Sequence, residues 1–242
     1  MSATTVVIGA GPGLGMSIAH RFGREGHRIA LISRNGARHS GYVAALKAEG
    51  IEATSHPADA LDRDGLLAAL DAVAEQHGRV DVLYYGPGAA DPDAHPAPIT
   101  STDVAAVKEA MSWIYPAIDA VGAVLPGMLE RGSGGLLFAG GLSSVVPIPM
   151  LGNLAVSAAA MRNYALTLHA ALADQGVYAG TLTIGGLIER GDIHRLITSQ
   201  PERLGGMTVR TLDPDTIADT AWNLYKKRDT PEAVFNAFSP DH

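Results

Sequence analysis

Four glycines crowd into Gly9-Ala10-Gly11-Pro12-Gly13-Leu14-Gly15, directly after the apolar run Val6-Val7-Ile8 and before a helical pattern of Met16, Ile18, Ala19 and Phe22. A strand that breaks on glycines and re-enters as a helix gathers backbone N–H groups and the positive end of a helix at one place. That arrangement suits the pyrophosphate of a dinucleotide. The spacing is G-x3-G-x-G, anchored on Gly9, Gly13 and Gly15, and not GxGxxG, because the sixth position from Gly9 is Leu14. Such a segment also serves as an ordinary turn; its place after the first strand is what gives it chemical meaning.

A second apolar run ends Leu31-Ile32-Ser33-Arg34-Asn35. A carboxylate at the Ser33 position would bind an adenosine ribose 2′-hydroxyl and repel a 2′-phosphate. Ser33 carries no charge, and Arg34 offers a guanidinium fork that could pair with the phosphate. The expected cofactor is therefore NADP(H) in preference to NAD(H), with a solvated surface arginine as the plain alternative. Asp59, in Pro57-Ala58-Asp59-Ala60, could accept from the adenine amino group or cap the next helix.

The elements that must position these residues alternate. Strands are expected at Thr4–Ile8, Arg28–Ser33, Glu52–Pro57, Val80–Tyr84, Gly135–Ala139, Tyr178–Ile184 and Glu232–Asn236. Helices are expected up to Glu25, near Gly41–Ala48 and Arg63–Gln76, and then from Thr102 to Glu130, Asn153 to Asp174 and Asp213 to Lys227. Pro116 and Pro126 should kink or shorten the Thr102–Glu130 helix. The pattern is that of an α/β fold: a doubly wound parallel sheet, Rossmann-type, in a single domain over residues 1–242 with a substrate-lid loop near 185–212. Ligands in such sheets bind beyond the carboxyl ends of the strands, here Gly9–Gly15, Ser33–Asn35, Ala58–Ala60, Tyr85–Ala89, Gly140–Ser144 and Ile184–Arg195.

Composition narrows the partners. The 242 residues are 47% hydrophobic and 18% charged, a globular balance, and the formal charge of −7 leaves no basic footprint for nucleic acid. No membrane partner and no signal peptide are expected, because the chain enters its first strand at once and no run reads as long enough to span a bilayer. The absence of cysteine removes disulfide and thiolate chemistry and fits a cytoplasmic setting. The nine histidines show no metal-ligand spacing, so no metal is expected.

Taken in order, Gly9-x3-Gly13-x-Gly15, Asp59, Asp81-Val82-Leu83, Leu125-Pro126-Gly127-Met128 and Ser157-Ala158-Ala159-Ala160-Met161-Arg162 make the chain resemble the short-chain dehydrogenase/reductase family over nearly its whole length. The resemblance implies a Rossmann-type fold and a nicotinamide cofactor held by Gly9, Gly11, Gly13, Leu14, Gly15, Ser33, Arg34, Asp59, Ala60, Gly86, Gly88, Gly185 and Leu187. It also implies pairing through the long helices into a homodimer or homotetramer, or a hetero-oligomer with an active relative.

The catalytic pattern of that family fails here. Its members carry a Ser, a Tyr thirteen residues on, and a Lys four after that; the Tyr moves the substrate proton and the Lys lowers its pKa. Those positions fall on Gly141, Leu154 and Ala158, and a wider spacing puts the Tyr at Leu151. No Lys occurs between Lys108 and Lys226, and no Tyr between Tyr115 and Tyr164, so no shift of frame restores the pair. The family's Asn-Asn-Ala-Gly reads Tyr85-Gly86-Pro87-Gly88, and its Pro-Gly reads Gly185-Gly186.

General acid–base assistance is worth roughly 10²–10⁴ in rate, about 3–5 kcal/mol. Replacement donors are Ser143 and Ser144 after the fifth strand, Tyr85 at the end of the fourth, and Asn153 at the start of the Ala-rich helix. Each also has a plain role as loop hydroxyl, packing residue or helix cap. Arg162 could reach a phosphate, and Glu189, Asp192 and His194 lie on the lid. Met150, Leu151, Leu154, Pro147 and Pro149 suggest either an apolar wall or ordinary core.

Three functions follow. One is an NADP(H)-dependent oxidoreductase with an altered acid/base centre, acting on a small or medium apolar carbonyl, imine or activated alkene. The second is a non-redox isomerase or cyclase on the same scaffold. The third is a catalytically silent nucleotide-binding subunit.

Overall fold

The computed structural model describes residues 2–87, 96–204 and 209–238. Seven strands are β1 (Thr4–Ile8), β2 (Arg28–Ile32), β3 (Ala53–Ser55), β4 (Val82–Tyr85), β5 (Gly134–Gly141), β6 (Val177–Gly185) and, last in the chain, β9 (Glu232–Asn236). They form one parallel sheet in the order β3-β2-β1-β4-β5-β6-β9. Helices α1 (Leu14–Arg24), α2 (His39–Ala48), α3 (Arg63–His77), α4 (Val104–Met111), α5 (Tyr115–Arg131), α6 (Gly152–Leu172) and, later, α8 (Pro214–Lys227) cover it.

The strands read as continuous apolar runs because both faces are covered. Alternate residues feed two cores. Val6, Ile8, Leu83, Tyr85, Leu136 and Phe138 pack with α3, α5 and α6. Val7, Val82, Tyr84 and Leu137 pack with α1 and α8. Register brings Ile8 level with both Ile32 and Tyr85, so the carboxyl ends of β1, β2 and β4 finish on one line. The opposite end is fastened by Asp81, whose carboxylate accepts from the Thr4 amide at 2.8 Å and faces Arg79 at 3.0 Å.

Three expectations change. The helix expected from Thr102 to Glu130 is broken at Ser112–Ile114, with Pro116 in the first turn of α5, where its missing N–H costs nothing. Pro126, by contrast, lies inside α5 without ending it. The stretch Val104–Arg131 is, by length and composition, apolar enough to cross a membrane; here it is the α4–α5 pair, with α5 lying against the sheet. The expected lid loop also contains structure. β7 (Leu187–Ile188) pairs in parallel with β8 (Thr211–Leu212), and α7 (Asp192–Ser199) lies between them.

Candidate functional site

One cavity of about 420 Å³ opens along the carboxyl ends of the strands. Its floor is the glycine loop from Ile8 to Gly15. One end is formed by Ser33, Arg34, Asn35, Arg38, Tyr42, Ala58, Asp59 and Ala60, the other by Tyr84, Gly86, Pro87, Trp113, Ala139, Gly140 and Gly141, and the roof by Ile184, Gly186, Ile188 and Gly191 to Ile193.

The loop is shaped by what its glycines touch. Gly9 has φ +94°, and a Cβ there would meet the Gly86 carbonyl carbon and the Pro87 nitrogen at 2.8 Å, so β1 and β4 turn out of the sheet against each other. Gly13 caps α1 without a side chain, and the amides of Met16 and Ser17 bond the carbonyls of Gly11 and Gly13. The Leu14 and Gly15 amides, both beside the cavity, take no acceptor among the described residues. Two spare donors at a helix N-terminus, with no side chain over them, fit a pyrophosphate.

At the Ser33 end the expected residues Ser33, Arg34, Asp59 and Ala60 all line the cavity. Asp59 accepts from the Leu61 amide at 3.0 Å, while the cap of α3 is Asp62. Arg38 and Tyr42 were not expected. Asn35 accepts from the Ala37 amide at 2.9 Å, and the resulting turn brings Arg38 back to the cavity one helical step beyond Arg34. Arg38 donates to Asp192 of α7 at 2.7 Å, so an ion pair spans the mouth. Burial opposes ionisation of Asp192, but hydrogen bonds from Arg38 and Arg195 hold its carboxyl below the usual range.

The lid is seated on the loop. A Cβ at Gly13 would lie 3.1 Å from the Gly191 nitrogen and Cα and 3.2 Å from the Glu189 oxygen. Arg190, at φ +65°, turns outward to Asp215 at 2.8 Å and Ser17 at 3.1 Å. Glu189 is also engaged, accepting from Thr211 at 2.7 Å.

The other end carries most of the corrections. Tyr85 does not face the cavity: it is fully buried, and its hydroxyl donates to the Trp113 carbonyl at 2.7 Å. Burial pushes its phenol pKa far up, so it stays a committed donor. Its neighbour Tyr84 lines the cavity instead, because successive strand residues face opposite ways. Asn153 is buried in the first turn of α6 and accepts from the Ala97 amide at 2.8 Å, holding a loop rather than facing the cavity. Ser144 donates to the Gly141 carbonyl at 2.7 Å. Gly185 and Leu187 point away from the cavity, and their neighbours Gly186 and Ile188 line it; a Cβ at Gly185 would run into Leu142. Gly88 lies outside the described residues. Arg162 is bound at both nitrogens to Glu232, at 2.7 and 2.6 Å, and reaches no ligand position. The five residues read as an apolar wall do not line the cavity.

The frame that placed the missing triad is nevertheless spatially coherent. A Cβ at Gly141 would sit 3.6 Å from the Ala158 Cβ and 3.4 Å from Ser143 Oγ. The end of β5 and the face of α6 therefore meet beside the cavity, with the Ser143 hydroxyl at that junction, but neither Ser143 nor Ser144 is among the residues that line the cavity.

Residues 3–190 match the family model described as short chain dehydrogenase. Among curated proteins the chain is similar to dehydrogenase/reductase SDR family member 4 of Bos taurus, 28% identical over 199 residues, which cover 79% of this chain and 67% of that protein. It is likewise similar to SDR family member 7B of Danio rerio, 27% identical over 228 residues, covering 91% and 72%. Solved structures of the same fold include a metagenomic short-chain oxidoreductase in complex with NADP, at TM-score 0.77 and 22% identity over 98% of both chains. Actinorhodin polyketide ketoreductase with NADPH superposes at TM-score 0.81 and 20% identity, covering 98% of this chain and 96% of that one.

Proposed function

Because this chain belongs to the short-chain dehydrogenase family, we propose that it is an NADP(H)-dependent oxidoreductase with an altered acid/base centre. Its substrate would be a small or medium apolar carbonyl, imine or activated alkene. The observation that carries this reading is the cavity itself, which joins spare helix-end amides at Leu14 and Gly15 to an end that carries the guanidinium groups of Arg34 and Arg38, the latter paired to Asp192. A bound nicotinamide supplies a hydride. The chain supplies position: the glycine loop holds the pyrophosphate, Arg34 and Arg38 hold the 2′-phosphate, and the lid of β7 and α7 shuts out water.

No phenol or ammonium stands at Leu154 or Ala158, so proton delivery falls to Ser143 or to solvent. A hydroxyl can donate to developing negative charge on a substrate oxygen, yet it cannot supply a proton as readily as an activated phenol. That favours substrates needing little protonation, such as an iminium ion or an activated enone. We further propose a homodimer through α4 and α5, where Val104, Tyr115, Ile118 and Leu129 are exposed; sedimentation velocity tests it, and a single monomeric species would refute it.

Titration with NADPH and NADH, followed by nicotinamide fluorescence and calorimetric heat, tests the cofactor. Micromolar NADPH binding with weaker NADH is expected. Binding of neither would remove the redox reading in favour of a silent subunit or non-redox enzyme. Oxidation of NADPH across a panel of ketones, iminium ions and enones tests the reaction, with turnover expected first for the last two.

A further inference from the structure

His39 is a buried titratable side chain that touches a cavity-lining residue and has no part in the reading above. It opens α2 with 1% of its surface exposed. Its Nε2 lies 2.7 Å from Ser33 Oγ, and its Nδ1 lies 2.6 Å from Ser55 Oγ on the edge strand β3. Ser33 lines the cavity beside Arg34 and Arg38, while Ser55 is exposed to solvent. A three-membered hydrogen-bond chain thus runs from solvent through a buried imidazole to the end of the cavity that carries Arg34 and Arg38.

A hydroxyl has one proton, so the neutral imidazole decides what Ser33 shows a ligand. If Nε2 is bare, Ser33 donates to it and offers the cavity only lone pairs; Nδ1–H then donates to Ser55. If Nε2 carries the proton, it donates to Ser33, whose own proton is free to turn into the cavity; bare Nδ1 then accepts from Ser55. A phosphate ester oxygen can only accept, so it bonds Ser33 in the second arrangement alone. A ribose 2′-hydroxyl both donates and accepts, so it is served by either. Solvent exposure lets Ser55 meet either demand by re-orienting toward water.

We infer that His39 is a positioning residue that sets the hydrogen-bond polarity of Ser33, and that the Nε2–H tautomer is what lets this end of the cavity accept a 2′-phosphorylated adenosine. The inference rests on the proposed NADP(H) reading and names a device that serves it. Burial lowers the pKa of the ring, which favours the neutral form, and within that form the choice is between tautomers.

The test uses adenosine 2′,5′-bisphosphate and 5′-AMP as probes on ¹⁵N-histidine-labelled protein. With the bisphosphate bound, the His39 resonances should show protonated Nε2 and bare Nδ1; a bare Nε2 in that complex overturns the inference. Calorimetry on variants gives the second readout. His39→Leu leaves the Ser33 hydroxyl its own proton but no partner to orient it, and should weaken the bisphosphate by about threefold to tenfold, the net worth of one hydrogen bond, with 5′-AMP held within about twofold. His39→Gln keeps an N–H at the far end of the side chain and should restore most of the discrimination. Equal weakening of both probes by His39→Leu would mark a merely structural role and overturn the inference. If the wild-type chain binds 5′-AMP and the bisphosphate equally, or binds neither, the NADP(H) reading falls and the inference falls with it. If the wild type prefers the bisphosphate while the tautomer and variants fail as stated, the inference falls alone.

Discussion

Gly15→Ala and Gly11→Ala form a controlled pair four residues apart in the same loop. A Cβ at Gly15 would sit inside 3.0 Å of the Gly9 carbonyl oxygen, 3.0 Å from Ala10 Cα and 3.2 Å from the Gly9 carbonyl carbon, where ordinary contact begins near 3.4 Å. All three neighbours are backbone, and Gly9 cannot retreat, because it already abuts Gly86 and Pro87. Overpacking of this kind costs about 1–3 kcal/mol, and the rigid neighbours place it toward the upper end. Replacing a helical glycine returns up to about 1 kcal/mol of propensity, less at a first turn, so the net loss should be about 1–2 kcal/mol. For a chain of 242 residues that is a fall of about 2–8 °C in melting temperature. Gly11→Ala meets its nearest atom, the Gly9 oxygen, at 3.9 Å, and should leave stability within about 0.5 kcal/mol of wild type. Thermal unfolding of the two ligand-free variants beside the wild type decides it. Gly15→Ala melting with the wild type, or Gly11→Ala falling as far as Gly15→Ala, would refute the packing argument.

Other outcomes follow from the same coordinates. Glu232→Gln should cost about 1–3 kcal/mol in urea unfolding, between an exposed and a fully buried ion pair. It strands Arg162 and weakens the 2.5 Å bond from Thr183, and an unchanged midpoint would contradict it. His27, His39, His56 and His77 are all held below the ordinary imidazole value, chiefly by burial. The unfolded chain therefore binds protons first, so stability is whole above about pH 6.5 and declines as the pH falls below it; urea midpoints at about pH 7.5 and 5.5 should differ in that direction. Asp192→Asn removes the ionic span to Arg38, and amides of α7 should exchange hydrogen faster, with α8 unchanged as the internal reference. Ser143→Ala should slow reduction of a ketone by roughly 10²-fold, one lost donor at developing charge, and leave an iminium substrate nearly untouched. Equal loss on both would remove Ser143 from proton delivery.

The sheet was legible because parallel strands buried on both faces leave an unmistakable apolar signature, and β1 and β9 fall at their expected bounds. That Ser33, Arg34 and Asp59 would share one end of a cavity was legible for a related reason: strand ends of known order must converge on one line. Tyr85 failed on parity. Two adjacent tyrosines look equivalent in a sequence, and only the register of β4 against β1 and β5 decides which faces the cavity. Asn153 failed because its partner, the Ala97 amide, lies 56 positions away. The two-residue strands β7 and β8 are too short to carry periodicity, so the lid read as loop. Arg38 was within reach: an Asn-initiated turn after a strand returns the chain, and the cation one helical step beyond Arg34 follows.

The seat of Gly191 on Gly13 has a kinetic consequence. If the pyrophosphate of a dinucleotide settles over that loop, as proposed, the segment from Glu189 to Asp192 stands at the rim of its seat and would have to lift for full entry. Association then has two steps, and the observed rate should rise with ligand concentration only to a plateau set by the opening rate. Departure crosses the same opening. On the proposed reading, residence time and turnover would thereby be tied to one short stretch of backbone, Glu189 to Asp192.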